Sequence, residues 1–249
     1  GVRIYLTRHR EGNATADDFW RAVEEASGRA VTAIANSWIH EKGFTLVTCA
    51  AREEPGALVV TFRQERFFED PELAAGDQRW TIPLVIAVGT AHGTREVRAL
   101  LDGGETTVRL EGAEWYFPNG GGAGFYRYLL DDASVQRLAR GMLHLSAIER
   151  LALVNDQWAL TMARKTGVRA YLRFADALRG ETDRYVLGAI AGALGWIRAN
   201  ALDETARVRF ERLVERVFRP RLDALGWDLR AADSSDDRED RTTTLGMLG

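Results

Sequence analysis

The spacing of apolar residues changes twice along this chain. Phe19, Trp20, Val23 and Ala26 follow Thr15 at helical spacing, and Asp18 stands three residues after Thr15, as in a capping box. Gly28 reads as the stop of that helix. Val31, Ile34, Ala35, Trp38 and Ile39 then form one apolar stripe, with Gly43 as its expected end. From about residue 44 the period drops to two. Leu58, Val60 and Phe62 alternate with other residues, as do Trp80, Ile82, Leu84, Ile86 and Val88, then Val97, Ala99 and Leu101, then Thr106, Val108 and Leu110. Turn signals at Glu54-Pro55-Gly56, Ala91-His92-Gly93, Asp102-Gly103-Gly104 and Asn119 to Gly122 separate these runs, which predicts short strands of an antiparallel sandwich. Pro83 places its strand at an edge or a bulge. After about residue 130 the helical period returns. Ser146 and Glu149 make a second capping pair, Gly167 reads as a stop, and helices fit about 168–179, 183–201 and 204–219, with Pro220 kinking or ending the last. Successive helices with short connections predict a solenoid-like stack. Residues 231–240 read as a solvated acidic loop, after which Leu245, Met247 and Leu248 begin a further element.

The resulting fold class is multidomain α+β: a short helical segment, an antiparallel β-sandwich, then an all-α superhelical domain. The chain has 249 residues, 46% of them hydrophobic and 28% charged, as in ordinary globular proteins. Net charge is −3 with both signs interspersed, so no basic face marks a nucleic-acid partner. All 33 basic residues except Lys42 and Lys165 are arginine. No apolar run reaches the roughly 18–20 residues of a membrane span. Cys49 is the sole cysteine, which excludes an intrachain disulfide and fits a reducing, cytoplasmic location. The opening Gly1-Val2-Arg3-Ile4 is neither a signal peptide nor an initiator methionine, so the native start is expected upstream.

Candidate chemistry is sparse. His40-Glu41 begins the zinc helix pattern H-E-x-x-H, but Phe44 occupies the fifth position, so the second imidazole on that face is missing. The other histidines, His9, His92 and His144, are scattered. Asn119 to Gly124 is glycine-rich, yet it lacks the Lys of a phosphate loop and falls between strands, so a flexible hairpin is expected. Asn13-Ala14-Thr15 matches a glycosylation sequon, but Thr15 is better used as a helix cap. Cys49 lies in an apolar strand pattern and reads as a buried small hydrophobe. The seven tryptophans fall mostly on apolar faces, and Glu24-Glu25 and Asp131-Asp132 read as solvated faces or caps.

Function enters through resemblance. Gly12 to Trp20 followed by Glu24-Glu25-Ala26-Ser27-Gly28 resembles the end of the catalytic domain in zinc aminopeptidases of the aminopeptidase N and puromycin-sensitive type. Trp38 and Lys42-Gly43 fit the next segment, with Phe44-Thr45 where that family carries Gly-Tyr-Pro. Trp80-Thr81-Ile82-Pro83-Leu84 is similar to its Trp-x-Ile-Pro-Leu strand. Asn119 with Gly124-Phe125-Tyr126-Arg127 is similar to its Asn…Gly-Tyr-Tyr-Arg element. Glu149-Arg150-Leu151 with Asn155 to Leu160, and later Leu225-Gly226-Trp227, resemble its C-terminal helices. The resemblance implies three parts: 1–43 as tail helices of a thermolysin-like catalytic domain, 44–130 as a β-sandwich domain, and 131–249 as the start of a truncated superhelical domain. It also implies that the zinc ligands, the G-x-M-E-N motif and the oxyanion Tyr precede this region. No catalytic, cofactor or metal residue is therefore assigned here; zinc belongs to the parent enzyme. The implied partners are the N-terminal and catalytic domains of the same polypeptide and, in the parent, peptide substrates; no nucleic acid or membrane partner is expected. The sandwich would be a spacer and the helical domain a lid. The competing reading is an independent module that binds protein or glycan.

Overall fold

Thr15 starts its helix through a reciprocal cap. Its hydroxyl accepts from the Asp18 backbone N–H, and the Asp18 carboxylate accepts from the Thr15 backbone N–H at 2.9 Å. In the computed structural model, which describes residues 1–70, 73 and 77–249, this helix is the second of three that open the chain: α1 (Val2–Arg8), α2 (Ala16–Ser27) and α3 (Val31–Ile39). Gly28 ends α2 in the left-handed region, at φ 65°. Ala30 offers no cap to α3, and Glu24 supplies one from α2 by accepting the Thr32 N–H at 2.8 Å. The end of α3 comes earlier than expected. His40 caps it, and Gly43, at φ 115°, instead turns the chain into the first strand. Two bonds fasten α3 to the segment entering the third strand: the Trp38 indole donates to the Thr81 carbonyl at 3.1 Å, and the Ser37 hydroxyl accepts from the Thr81 N–H at 3.1 Å.

The period-two region forms two sheets. β1 (Phe44–Glu54), β2 (Ala57–Phe67), β5 (Glu105–Glu111) and β7 (Arg127–Leu130) make one, in the order β5-β2-β1-β7. β3 (Ile82–Thr90), β4 (Gly93–Leu101) and β6 (Ala113–Phe117) make the other, in the order β4-β3-β6. Buried faces of both contribute to one core, where Phe62 meets Tyr116 at 6.5 Å and Phe117 meets Tyr128 at 5.3 Å, edge to face. Burying each such aromatic is worth about 1.5–3 kcal/mol. Every pairing is antiparallel except β1 with β7, which is parallel. The exception follows from connectivity, since the chain leaves β6 in one sheet and enters the other beside β1. Pro83 lies in the central strand of its sheet, not at the edge expected. It is tolerated because β6 pairs only with Ala87 to Thr90, which leaves the flank of Pro83 opposite β4 without a strand; the bulge falls at Gly89/Thr90 instead. Trp80 precedes β3, held there by the buried Gln64 amide, which donates to its carbonyl at 2.7 Å and accepts its N–H at 2.8 Å.

The remainder is helical: α4 (Asp132–Gly141), α5 (Ala147–Met162), α6 (Val168–Ala177), α7 (Arg184–Asn200), α8 (Glu204–Leu225) and α9 (Ser235–Leu248). Asp131, Ser146, Asp183, Asp203 and Ser234 cap five of them with side-chain oxygens. Three expectations are corrected. Gly167 is the N-cap of α6, because α5 already ends at Ala163, before a left-handed Arg164. Pro220 sits inside α8, which runs on to Leu225. The buried stripe Val214, Val217, Phe218, Leu222 and Leu225 continues past it, and that burial outweighs one missing hydrogen bond. Residues 231–240 are not a solvated loop. Ser234 opens α9, Asp240 is buried against Arg221 at 2.6 Å, and Arg241 pairs with Asp233 at 2.7 Å while donating to the carbonyls of Leu225 and Gly226 that end α8.

Candidate docking cleft and the loop beside it

The α3 stripe Val31, Ile34, Ala35 and Trp38 faces β3 across a gap that it does not close. With Trp20 from α2, Pro83 and Val85 from β3, and Phe125, these residues line an open, apolar cleft of about 520 Å³. Ile39 and Phe125 project beside it, 52% and 71% exposed. The rings of Trp38 and Phe125 stand 6.1 Å apart, and the Trp20 indole N–H is buried without a hydrogen-bond partner among the described residues. A continuous apolar face of this kind is the form taken by contact surfaces and ligand grooves.

The glycine-rich stretch forms the adjoining wall. It is a clamped crossover between the sheets, not a flexible hairpin. Asn119 bridges Gly124, accepting its N–H at 2.7 Å and donating to its carbonyl at 3.1 Å, and the Tyr126 hydroxyl donates to the Pro118 carbonyl at 2.7 Å. The Gly121 N–H, which a phosphate would need, donates to Glu149 Oε1 at 2.8 Å. That carboxylate also completes the α5 capping box, with Oε2 accepting from the Ser146 N–H and hydroxyl, each at 2.7 Å. A phosphate there would meet a negative charge already in place.

The residues weighed from sequence do not converge. His9 and His40 end α1 and α3, His92 lies in the β3–β4 turn, and His144 in a 3-10 turn after α4. Among the described residues no three His, Cys, Asp or Glu side chains are placed to hold a metal. Cys49 is fully buried, and desolvation pushes its thiol up, as suits a packing residue. The Thr15 hydroxyl is taken up in its cap, where it also donates to Asp18 at 2.8 Å. Among the tryptophans, Trp80 and Trp115 are buried, whereas Trp196 and Trp227 are exposed, against the core expectation. Among the described residues no helix is long and apolar enough to cross a membrane.

Sequence reasoning missed one cluster. Arg127 Nη1 donates to Asp156 Oδ1 at 2.7 Å, which ties β7 to α5. Burial pushes the Asp156 carboxyl up to about 7, with Arg127 opposing that shift. The signal was present, since Asp156 falls between Leu153 and Leu160 on the buried face of a helix, where an isolated carboxylate needs a partner.

Residues 115–249 match the family model described as the ERAP1-like C-terminal domain. Similarity to curated proteins extends further. The puromycin-sensitive aminopeptidase of Caenorhabditis elegans is 27% identical over 94% of this chain and 26% of its own length. Aminopeptidase M1 of Arabidopsis thaliana is 29% identical over 100% of this chain and 30% of its own. The tricorn protease-interacting factor F2 of Thermoplasma acidophilum is 27% identical over 86% and 26%. The chain thus spans about a quarter to a third of the length of these relatives.

Proposed function

Because the chain belongs to the ERAP1-like C-terminal domain family, we propose that it is the non-catalytic C-terminal portion of a zinc-dependent cytoplasmic aminopeptidase. The observation that carries this reading is coverage: almost the whole chain aligns with about a quarter of an aminopeptidase. The zinc ligands and the substrate N-terminus site then belong to the rest of the polypeptide, and no residue of this segment acts on the scissile bond. Residues 1–43 are the tail of a thermolysin-like catalytic domain, 44–130 a rigid sandwich spacer, and 131–249 the start of a helical lid over the substrate chamber. The apolar cleft between α3 and β3 supports the first assignment, since the catalytic domain would cover it. Metal analysis after dialysis and a chromogenic aminoacyl substrate test the proposal on this chain alone. The expected result is no stoichiometric zinc and no turnover. Tight one-to-one zinc with activity that survives further purification overturns it.

A further inference from the structure

At the Gly89 end of β3, away from the Pro83 end that lines the apolar cleft, the sheets and α4 enclose another cavity, of about 570 Å³. The β1–β2 turn forms one wall, the start of β6 another, and α4 with the 3-10 turn after it the third. The Gly112 N–H donates to the Gly56 carbonyl at 2.7 Å and fixes the first two walls to each other. Trp115, buried and clamped between Gly89 and Gly141, makes a rigid floor. The size falls in the range of roughly 300–1,000 Å³ usual for small-molecule sites. Unlike the cleft beside α3, this cavity is lined by carboxylates and bases.

Some of those charges are already matched. Glu53 pairs with Arg137, and Glu54 pairs with Arg52 and Arg109. Glu114, Arg140 and His144 are exposed, and none of them has an ion pair or hydrogen bond among the described residues. Arg140 and His144 stand four residues apart at the end of α4, so both can reach one ligand group. Glu114 stands on β6, against which α4 packs through Trp115 and Gly141. Glu114 and Arg140 thus line one cavity with opposite charges and do not pair across it. A ligand carrying both signs would bridge them. The carboxylates and His144 do not gather into a metal-holding group among the described residues, so the lining does not mark a metal site.

We propose that this cavity binds a small zwitterion of dipeptide size, with its ammonium on Glu114 and its carboxylate on Arg140 and His144. Arg140 offers a planar fork of N–H donors that matches a carboxylate, and His144 adds a ring N–H. Glu114, an acceptor only when ionised, takes the ammonium. Leu58 and Trp115, both buried, lie between the charged walls and suit the uncharged middle of the ligand. A ligand with a single charge satisfies one wall and leaves the other unmatched. The reading stands on this chain alone and is independent of any enzymatic role.

The test titrates the full chain with glycylglycine, with its N-acetylated form, which lacks the ammonium, and with its amide, which lacks the carboxylate, and follows backbone amide NMR shifts. Glycylglycine is expected to give saturable shifts centred on the amides of Gly112, Glu114, Arg140 and His144. Each capped form is expected to bind about tenfold more weakly, the loss of one charge-assisted contact. Glu114→Gln should remove the preference for glycylglycine over the acetylated form, and Arg140→Gln the preference over the amide. No saturable shift at those amides, equal binding of the capped forms, or full discrimination retained in both variants each overturns the proposal. Both substitutions fall at exposed, unpaired side chains, and the comparison of capped with uncapped ligand on the unaltered chain decides even where a variant folds poorly.

Discussion

Trp115 is gripped by two glycines from different elements. A Cβ at Gly89 in β3 would overlap its indole ring, and so would a Cβ at Gly141, the last residue of α4. The ring is 6% exposed and packs within the core, so it has little room to move aside. Overpacking of this kind costs about 1–3 kcal/mol. Gly89→Ala is therefore expected to lower the urea midpoint by that free energy. Gly141→Ala should lose less, since alanine in a helix recovers about 0.5–1 kcal/mol over glycine. Trp115→Leu should rescue part of the loss, with non-additivity above about 0.5 kcal/mol in a double-mutant cycle. Additive losses would mean that the two glycines act independently of the ring. None of this was legible in the sequence. The capping pairs Thr15–Asp18 and Ser146–Glu149 could be read because each is complete within three residues. The contact of Gly89 with Trp115 exists only after β3 and β6 pair, and a single sequence carries no mark of it.

At the scale of elements, periodicity located the helices and strands, and burial decided where they stop. Pro220 shows the difference. Its own chemistry predicts a kink or an end to α8, yet the apolar stripe continues to Leu222 and Leu225, both buried, and the helix does not end there. The same bias misread residues 231–240. Their composition is that of a solvated loop, but Arg221 and Arg241 neutralise Asp240 and Asp233 and let α9 form. Proline in a helix interior costs about 3 kcal/mol relative to alanine, against about 0.4–1 kcal/mol regained by stiffening the unfolded chain. Pro220→Ala is thus expected to stabilise the protein by about 2 kcal/mol, because it returns an N–H to the Arg216 carbonyl at an exposed position. Denaturant unfolding at constant m-value checks this. A loss of stability would show that α9 packs against a bend that the proline sets.

At the scale of the whole molecule, the order helix, strand, helix was plain from the period alone, because each change of period coincides with a cluster of turn residues. The docking cleft was not legible, because the α3 stripe reads as an ordinary buried face and only the fold shows that β3 leaves it partly uncovered. The proposed role of the helices bears on how they are attached. α4 is bound to the sheets through Trp115 and Ser134, and α5 through Glu149 and Arg127, so the helical stack is carried as a body on a packed two-sheet base. On the lid reading proposed above, a body so mounted would select substrates by closing over a chamber, excluding long peptides and bulk water, without donating a catalytic side chain. The experiment is to cut the full-length enzyme back near Leu130 and compare short with long peptides. The truncation removes Ser134 and Gly141 and so uncovers Tyr116 and Trp115, which they cover, so folding and zinc content are measured first. In a folded, zinc-loaded truncation the lid role requires the ratio of kcat/KM for long over short peptides to rise, since long substrates gain access while short ones lose enclosure. A ratio that stays constant while both activities persist removes the lid and leaves the helices as a surface for other partners.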